Sequence, residues 1–117
     1  MGRSRRAGLD RGRALVNRGE VWWAEQVERK RRPVLILTRT EAIPVLHSVV
    51  VAPATRTIRS IPSEVPLGPD DGMPEECALS FDNTSLMPKT MLTHRICRLG
   101  PEKMLQACRA LAAAFDC

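Results

Sequence analysis

No apolar run in this chain approaches the ~20 residues of a membrane-spanning helix. The longest are residues 34–37, 49–54 (broken by Pro53) and 110–115, so no segment is expected to cross a bilayer. A secretion signal is missing as well: the basic stretch 1–13 meets only Ala14, Leu15 and Val16 before Asn17, too little for the apolar region of a signal peptide. The expected compartment is the cytoplasm. Cysteines at metal-ligand spacing are absent. Cys77, Cys97, Cys108 and Cys117 are separated by 20, 11 and 9 positions, with no C-x-x-C and no histidine at ligand spacing, which argues against zinc. Without a sign of secretion, free thiols are expected rather than disulfides. The only acidic pairs, Asp70-Asp71 and Glu75-Glu76, are adjacent residues whose side chains point in different directions. They do not make a two-metal nuclease site, and neither a metal nor another cofactor is expected. Aromatic residues are scarce, two Trp and two Phe with no Tyr, and no internal repeat is visible.

What is present is one small domain of 117 residues, 44% hydrophobic. A chain of that length buries roughly two thirds of its unfolded surface, enough for a core but not for an enclosed cavity holding a large cofactor. Any active site should be a surface groove. Charge is distributed unevenly. Residues 1–17 carry five arginines against Asp10, net +4, and read as a basic flexible arm ahead of a domain spanning 18–117. Within the domain, residues 29–59 hold Arg29, Lys30, Arg31, Arg32, Arg39, Arg56 and Arg59 against Glu41 alone, net +6, whereas 60–88 hold six acidic residues and no basic one. This segregation points to one surface for a polyanion and another that does not meet it.

From Gly19 onward the pattern is that of a small β protein. Strands are expected at 21–24, at 34–38 (wholly apolar, hence central), at 47–54, at 64–67 with Pro66 marking an edge, at 77–81 and at 94–99. A turn is expected at 68–72 and one helical turn at 88–92. Gly100-Pro101-Glu102 starts a terminal helix, with Met104, Cys108, Leu111 and Phe115 on one face. The fold class is mainly β with a C-terminal helix, a compact open barrel with the helix packed beside it.

Several segments carry a resemblance. Arg18-Gly19-Glu20-Val21-Trp22-Trp23, Arg32-Pro33-Val34-Leu35-Ile36-Leu37, Val50-Val51-Ala52-Pro53-Ala54-Thr55, Asp82-Asn83 and the helix after Leu99-Gly100 stand in the order and spacing of the MazF/PemK family of toxin endoribonucleases, which the chain resembles over 18–115. The resemblance implies an SH3-like, CcdB/PemK-type barrel that forms a homodimer, cleaves single-stranded RNA without a metal and is held inactive by a cognate acidic antitoxin. It also implies that Arg32 and Thr55 are the catalytic pair. The chemistry makes the residue types intelligible. Metal-free cleavage uses the 2′-hydroxyl to attack the adjacent phosphate, so the site must gather negative charge on phosphate oxygens. A forked guanidinium suits the phosphate and a hydroxyl can donate to a second oxygen. Read alone, Arg32 is a strand-end arginine in a solvated basic run and Thr55 a turn residue that bonds its own backbone.

RNA binding is expected along the basic segment, with Arg31, Arg56 and Arg59 beside the pair and Asn83 offering its amide to a base edge. Two features depart from the family's pattern: the loop 26–31 (QVERKR) is short, charged and free of Gly, and an Arg-rich extension precedes Asn17. Trp22 and Trp23 can stack bases, yet in a strand they point to opposite faces, so at least one belongs to a core or an interface. His47 and His94 are alternative acid and base candidates, against which stands a structural role. Two other functions compete with the ribonuclease: a CcdB-like gyrase inhibitor of the same fold, which needs neither Arg32 nor Thr55, and a plain RNA-binding barrel.

Overall fold

The computed structural model describes residues 16–25 and 31–116. Among them are seven strands and one α-helix, besides short 3-10 turns: β1 (Glu20–Ala24), β2 (Arg32–Ile36), β3 (Ser48–Thr55), β4 (Glu64–Leu67), β5 (Cys77–Ser80), β6 (Ser85–Pro88), β7 (Leu92–Arg98) and α1 (Pro101–Phe115). The strands form one antiparallel sheet in the order β4-β5-β3-β2-β1-β7, with β6 paired to β3. The sheet is open: β4 and β7 end it without pairing to each other, an open sheet rather than a closed barrel. β2 is central, as its unbroken apolar run implies, and β4, with Pro66 at its third position, lies at an edge. β6 is absent from the sequence expectation. Its ladder with β3 runs from Ser48↔Pro88 to Val51↔Ser85, so long-range pairing makes a strand of four residues that lack a strand pattern of their own.

Alternation along β3 supplies both faces of the sheet, with Val49 and Val51 on one and Ala52 and Ala54 on the other. Leu35, Ala52, Ala54, Val65, Leu79 and Phe81 pack on the side covered by α1. Val34, Ile36, Val49, Val51, Met87 and Leu92 form a second cluster with Val16 and Ala24. Val16 is buried and the Asn17 amide donates to the Glu20 carboxylate at 2.9 Å. Packed structure therefore begins before the expected boundary at residue 18, and only residues 1–15 of the expected arm lie outside the described residues. α1 begins where Gly100-Pro101 indicates, but its inner face is Met104, Ala107, Ala110, Leu111 and Ala114. Cys108 and Phe115, expected on that face, are exposed. The helix approaches the sheet closely through alanines, which a reading weighted by side-chain hydrophobicity ranks below Phe and Cys.

Glu20 and its neighbours fasten the start of β1. The Glu20 carboxylate is buried and accepts hydrogen bonds from Trp22 Nε1 (2.9 Å), the Asn17 amide and Arg95 Nη1 (3.2 Å). Burial alone would raise its pKa, but these donors outweigh that effect and hold the carboxyl below its usual range. Arg18 donates through Nη1 to the Leu37 carbonyl and through Nη2 to Cys108 Sγ. The Arg18-Gly19-Glu20-Val21-Trp22 segment is thus a structural clasp. Cys77 is buried, Cys97 half-buried and Cys108 exposed, all three free.

Candidate functional site

β2 and β3 pair as Val34↔Pro53, Leu35↔Ala52 and Ile36↔Val51. Continuing that register by two residues sets Arg32, the first residue of β2, opposite Thr55, the last of β3. Cross-strand partners share a face. Arg32 also pairs with Ala24 of β1, and Thr55 with Ala78 of β5. One transverse row therefore carries an exposed guanidinium and a half-buried hydroxyl between two small, fully buried alanines. Thr55 Oγ1 accepts the Thr57 amide at 3.1 Å. Because the oxygen only accepts in this turn bond, the hydroxyl hydrogen is still available to donate, and the turn bond is compatible with the site role expected for Thr55.

The remaining expected residues divide between the two sides of the sheet. Glu64 and Ser80 are partners on the Arg32/Thr55 side, reached through the Ala78↔Pro66 pair. Ser80 Oγ accepts Asn83 Nδ2 at 2.8 Å, which holds the exposed Asn83 amide beside the same row. Arg59 is fixed by Glu64: its backbone amide donates to Oε1 at 2.9 Å and its Nη1 lies 3.5 Å from Oε2. Arg56 pairs with Glu75 at 3.3 Å, with both side chains well exposed. Arg31 is the outlier. It precedes β2, and its guanidinium lies 4.3 Å from the ring centroid of Trp23, on the other side of the sheet from Arg32. His47 and His94 are both exposed. Trp22 and Trp23 occupy opposite faces, with Trp22 against the second core cluster.

The expected spatial segregation of charge does not hold. Glu64 and Glu75, from the acidic segment, pair with Arg59 and Arg56, from the basic one. Folding brings together charges that lie apart in the sequence. Glu64 and Ser80, which hold Arg59 and Asn83, carry no local sequence signal, because their role depends on the β4–β5 register. Residues 26–30 of the short charged loop lie outside the described residues. Among the described residues no group of three or more His, Cys, Asp or Glu side chains is placed to hold a metal ion.

Residues 17–115 match the model of the PemK-like, MazF-like toxins of type II toxin–antitoxin systems. The chain belongs to that family. It is 45% identical over 105 residues to the probable endoribonuclease MazF5 of Mycobacterium tuberculosis, covering 89% of this chain and 96% of the relative. Among solved structures, the M. tuberculosis toxin MazF-mt6 aligns with a TM-score of 0.76 and 36% identity, over 83% of this chain and 96% of that one. A mycobacterial endoribonuclease solved in complex with its cognate antitoxin aligns with a TM-score of 0.79 and 26% identity, over 87% and 96% of the two chains. The enzyme class expected from the sequence, an endoribonuclease, agrees with these relatives.

Proposed function

We propose that this MazF-family toxin is a metal-independent, sequence-selective endoribonuclease that cuts single-stranded RNA at the Arg32/Thr55 row. The substrate's 2′-oxygen forms a bond to the adjacent phosphorus as the bond to the 5′-oxygen breaks. The 2′-hydroxyl loses its proton and the departing 5′-oxygen gains one, leaving a 2′,3′-cyclic phosphate and a 5′-hydroxyl end. Arg32 holds the developing charge on the non-bridging oxygens through its forked N–H groups. A guanidinium keeps its protons in proteins, so it is not the proton acceptor. Thr55 donates its hydroxyl to a second oxygen. Asn83 reads a base edge, and Arg56 and Arg59 contact the backbone on either side. The observation that supports this reading is the β2–β3 register, which, continued by two residues, sets Arg32 opposite Thr55 at the ends of the two strands.

The toxin acts in the cytoplasm as a homodimer and is silenced by a cognate antitoxin. Exposed apolar residues support a dimer: Val50 and Leu86 are cross-strand partners, and Val45 and Leu46 lead directly into β3. The basic residues of the site support an acidic antitoxin segment, because carboxylates satisfy the same guanidinium groups as phosphates. Cleavage assays on Arg32→Ala and Arg32→Lys test the reading. Both variants should lose at least a hundredfold in cleavage rate while keeping the wild-type circular dichroism and melting temperature, since Arg32 is exposed and an ammonium lacks the fork. Wild-type cleavage by Arg32→Ala would move the chemistry elsewhere, with His47 and His94 as the next candidates.

A further inference from the structure

Arg32 opens β2 on the Arg32/Thr55 side of the sheet, whereas Arg31, the residue before it, lies over Trp23, which belongs to the opposite side. On the Arg31 side, Trp23 is half-buried between Pro33 of β2 and His94 of β7, its two cross-strand partners. The Arg31 guanidinium lies over the Trp23 ring, 4.3 Å from its centroid, and both Arg31 and His94 are exposed. A guanidinium stacked on an indole still presents one planar face and its N–H edges outward. A nucleobase can stack on that face while a phosphate accepts from the edges, and His94, the cross-strand partner of Trp23, offers a further planar side chain on the same side of the sheet.

We propose that Trp23, Arg31 and His94 form a second RNA subsite that stacks a base flanking the cleaved phosphate. The proposal rests on the ribonuclease reading of the Arg32/Thr55 row. One peptide link separates Arg31 from Arg32, so an RNA strand rounding the start of β2 passes from one subsite to the other. A single strand makes that turn readily, whereas a duplex, stiff over ~50 nm in the case of DNA, does not. Two subsites on opposite faces of one strand therefore select single-stranded RNA by geometry. The stacking subsite accepts any base, because every base has a π-face.

The test uses the full chain and a set of noncleavable oligonucleotides carrying 2′-deoxy at the cut position and a single abasic nucleotide at each flanking position in turn. Affinities are measured for wild type, Arg31→Ala, Arg31→Lys and His94→Ala. One flanking abasic site should weaken wild-type binding roughly tenfold. That penalty should vanish in Arg31→Ala and also in Arg31→Lys, which keeps the charge but not the plane, and should shrink in His94→Ala. If Arg31→Lys retains the full penalty, or if no abasic penalty depends on Arg31, the subsite is disproved while the ribonuclease reading stands. Failure of the wild-type protein to bind any intact oligonucleotide overturns the ribonuclease reading and the subsite with it.

Discussion

Thr55 and Glu20 illustrate how differently single residues act in this toxin. Thr55 orients its hydroxyl by accepting the Thr57 amide, so Thr55→Ala removes a turn bond and, on the proposed reading, a phosphate donor. Thr55→Ala is expected to lose about 0.5–1.5 kcal/mol of stability and most RNA cleavage, whereas Thr55→Ser should keep most of both. Thermal melts run beside gel-based cleavage check this, and equal activity in the alanine variant would remove Thr55 from the site. Glu20 belongs to the clasp at the start of β1. Its carboxyl is held below the usual range by the donors of Trp22, Asn17 and Arg95, against the opposing effect of burial. A lowered carboxyl pKa contributes stability above the ordinary glutamate value of ~4.3, and this contribution disappears as pH falls through the folded-state value. Glu20→Gln should destabilise the protein by about 1–3 kcal/mol at pH 7, and the gap from wild type should close in melts taken progressively below pH 4. A gap that stays constant from pH 7 to pH 3 would contradict the assignment.

At the scale of elements, ladders and loops hold the site in place. Glu64, on edge strand β4, anchors Arg59 through its backbone amide and its guanidinium. A double-mutant cycle of Glu64→Gln with Arg59→Ala, followed by denaturant unfolding, should show a coupling of about 1 kcal/mol; additivity within error would mean that the contact carries no energy. Gly72 closes the turn before β5 at φ +98°, where an added Cβ would lie 2.7 Å from Cys97 Cβ. Gly72→Ala is therefore expected to cost about 1–3 kcal/mol, through a strained φ and a clash with β7 together. Much at this scale is legible in the sequence. Apolar runs place β2 and β3 at the centre, Pro66 marks β4 as an edge, and Gly100-Pro101 starts α1. β6 is not legible, because Ser85-Leu86-Met87-Pro88 becomes a strand only by pairing with β3. The inner face of α1 is misread because Ala107 and Ala110, not Cys108 and Phe115, meet the sheet. Arg32 and Thr55 are picked out by the family resemblance, but their shared row depends on the β2–β3 register, and the ion pairs of Arg56 and Arg59 depend on contacts distant in sequence.

For the whole molecule, the proposed function assigns the choice of partners to the sign of charge on the Arg32 face. On the proposed reading an acidic antitoxin segment and an RNA strand compete for the same guanidinium groups, so an acidic peptide should displace a fluorescent noncleavable oligonucleotide, and added salt should weaken both. Independent, simultaneous binding would place inhibition elsewhere. Removal of residues 1–15, which carry five arginines and one aspartate, should flatten the salt dependence of nonspecific RNA binding and leave the cut site unchanged. The most direct test of the central claim is the chemistry of the RNA ends. Pure protein incubated with total RNA in excess chelator should produce cuts at a recurring sequence, each leaving a 2′,3′-cyclic phosphate and a 5′-hydroxyl, and Arg32→Ala should produce none. Cleavage that stops in chelator, returns with magnesium and leaves 5′-phosphates would contradict the account.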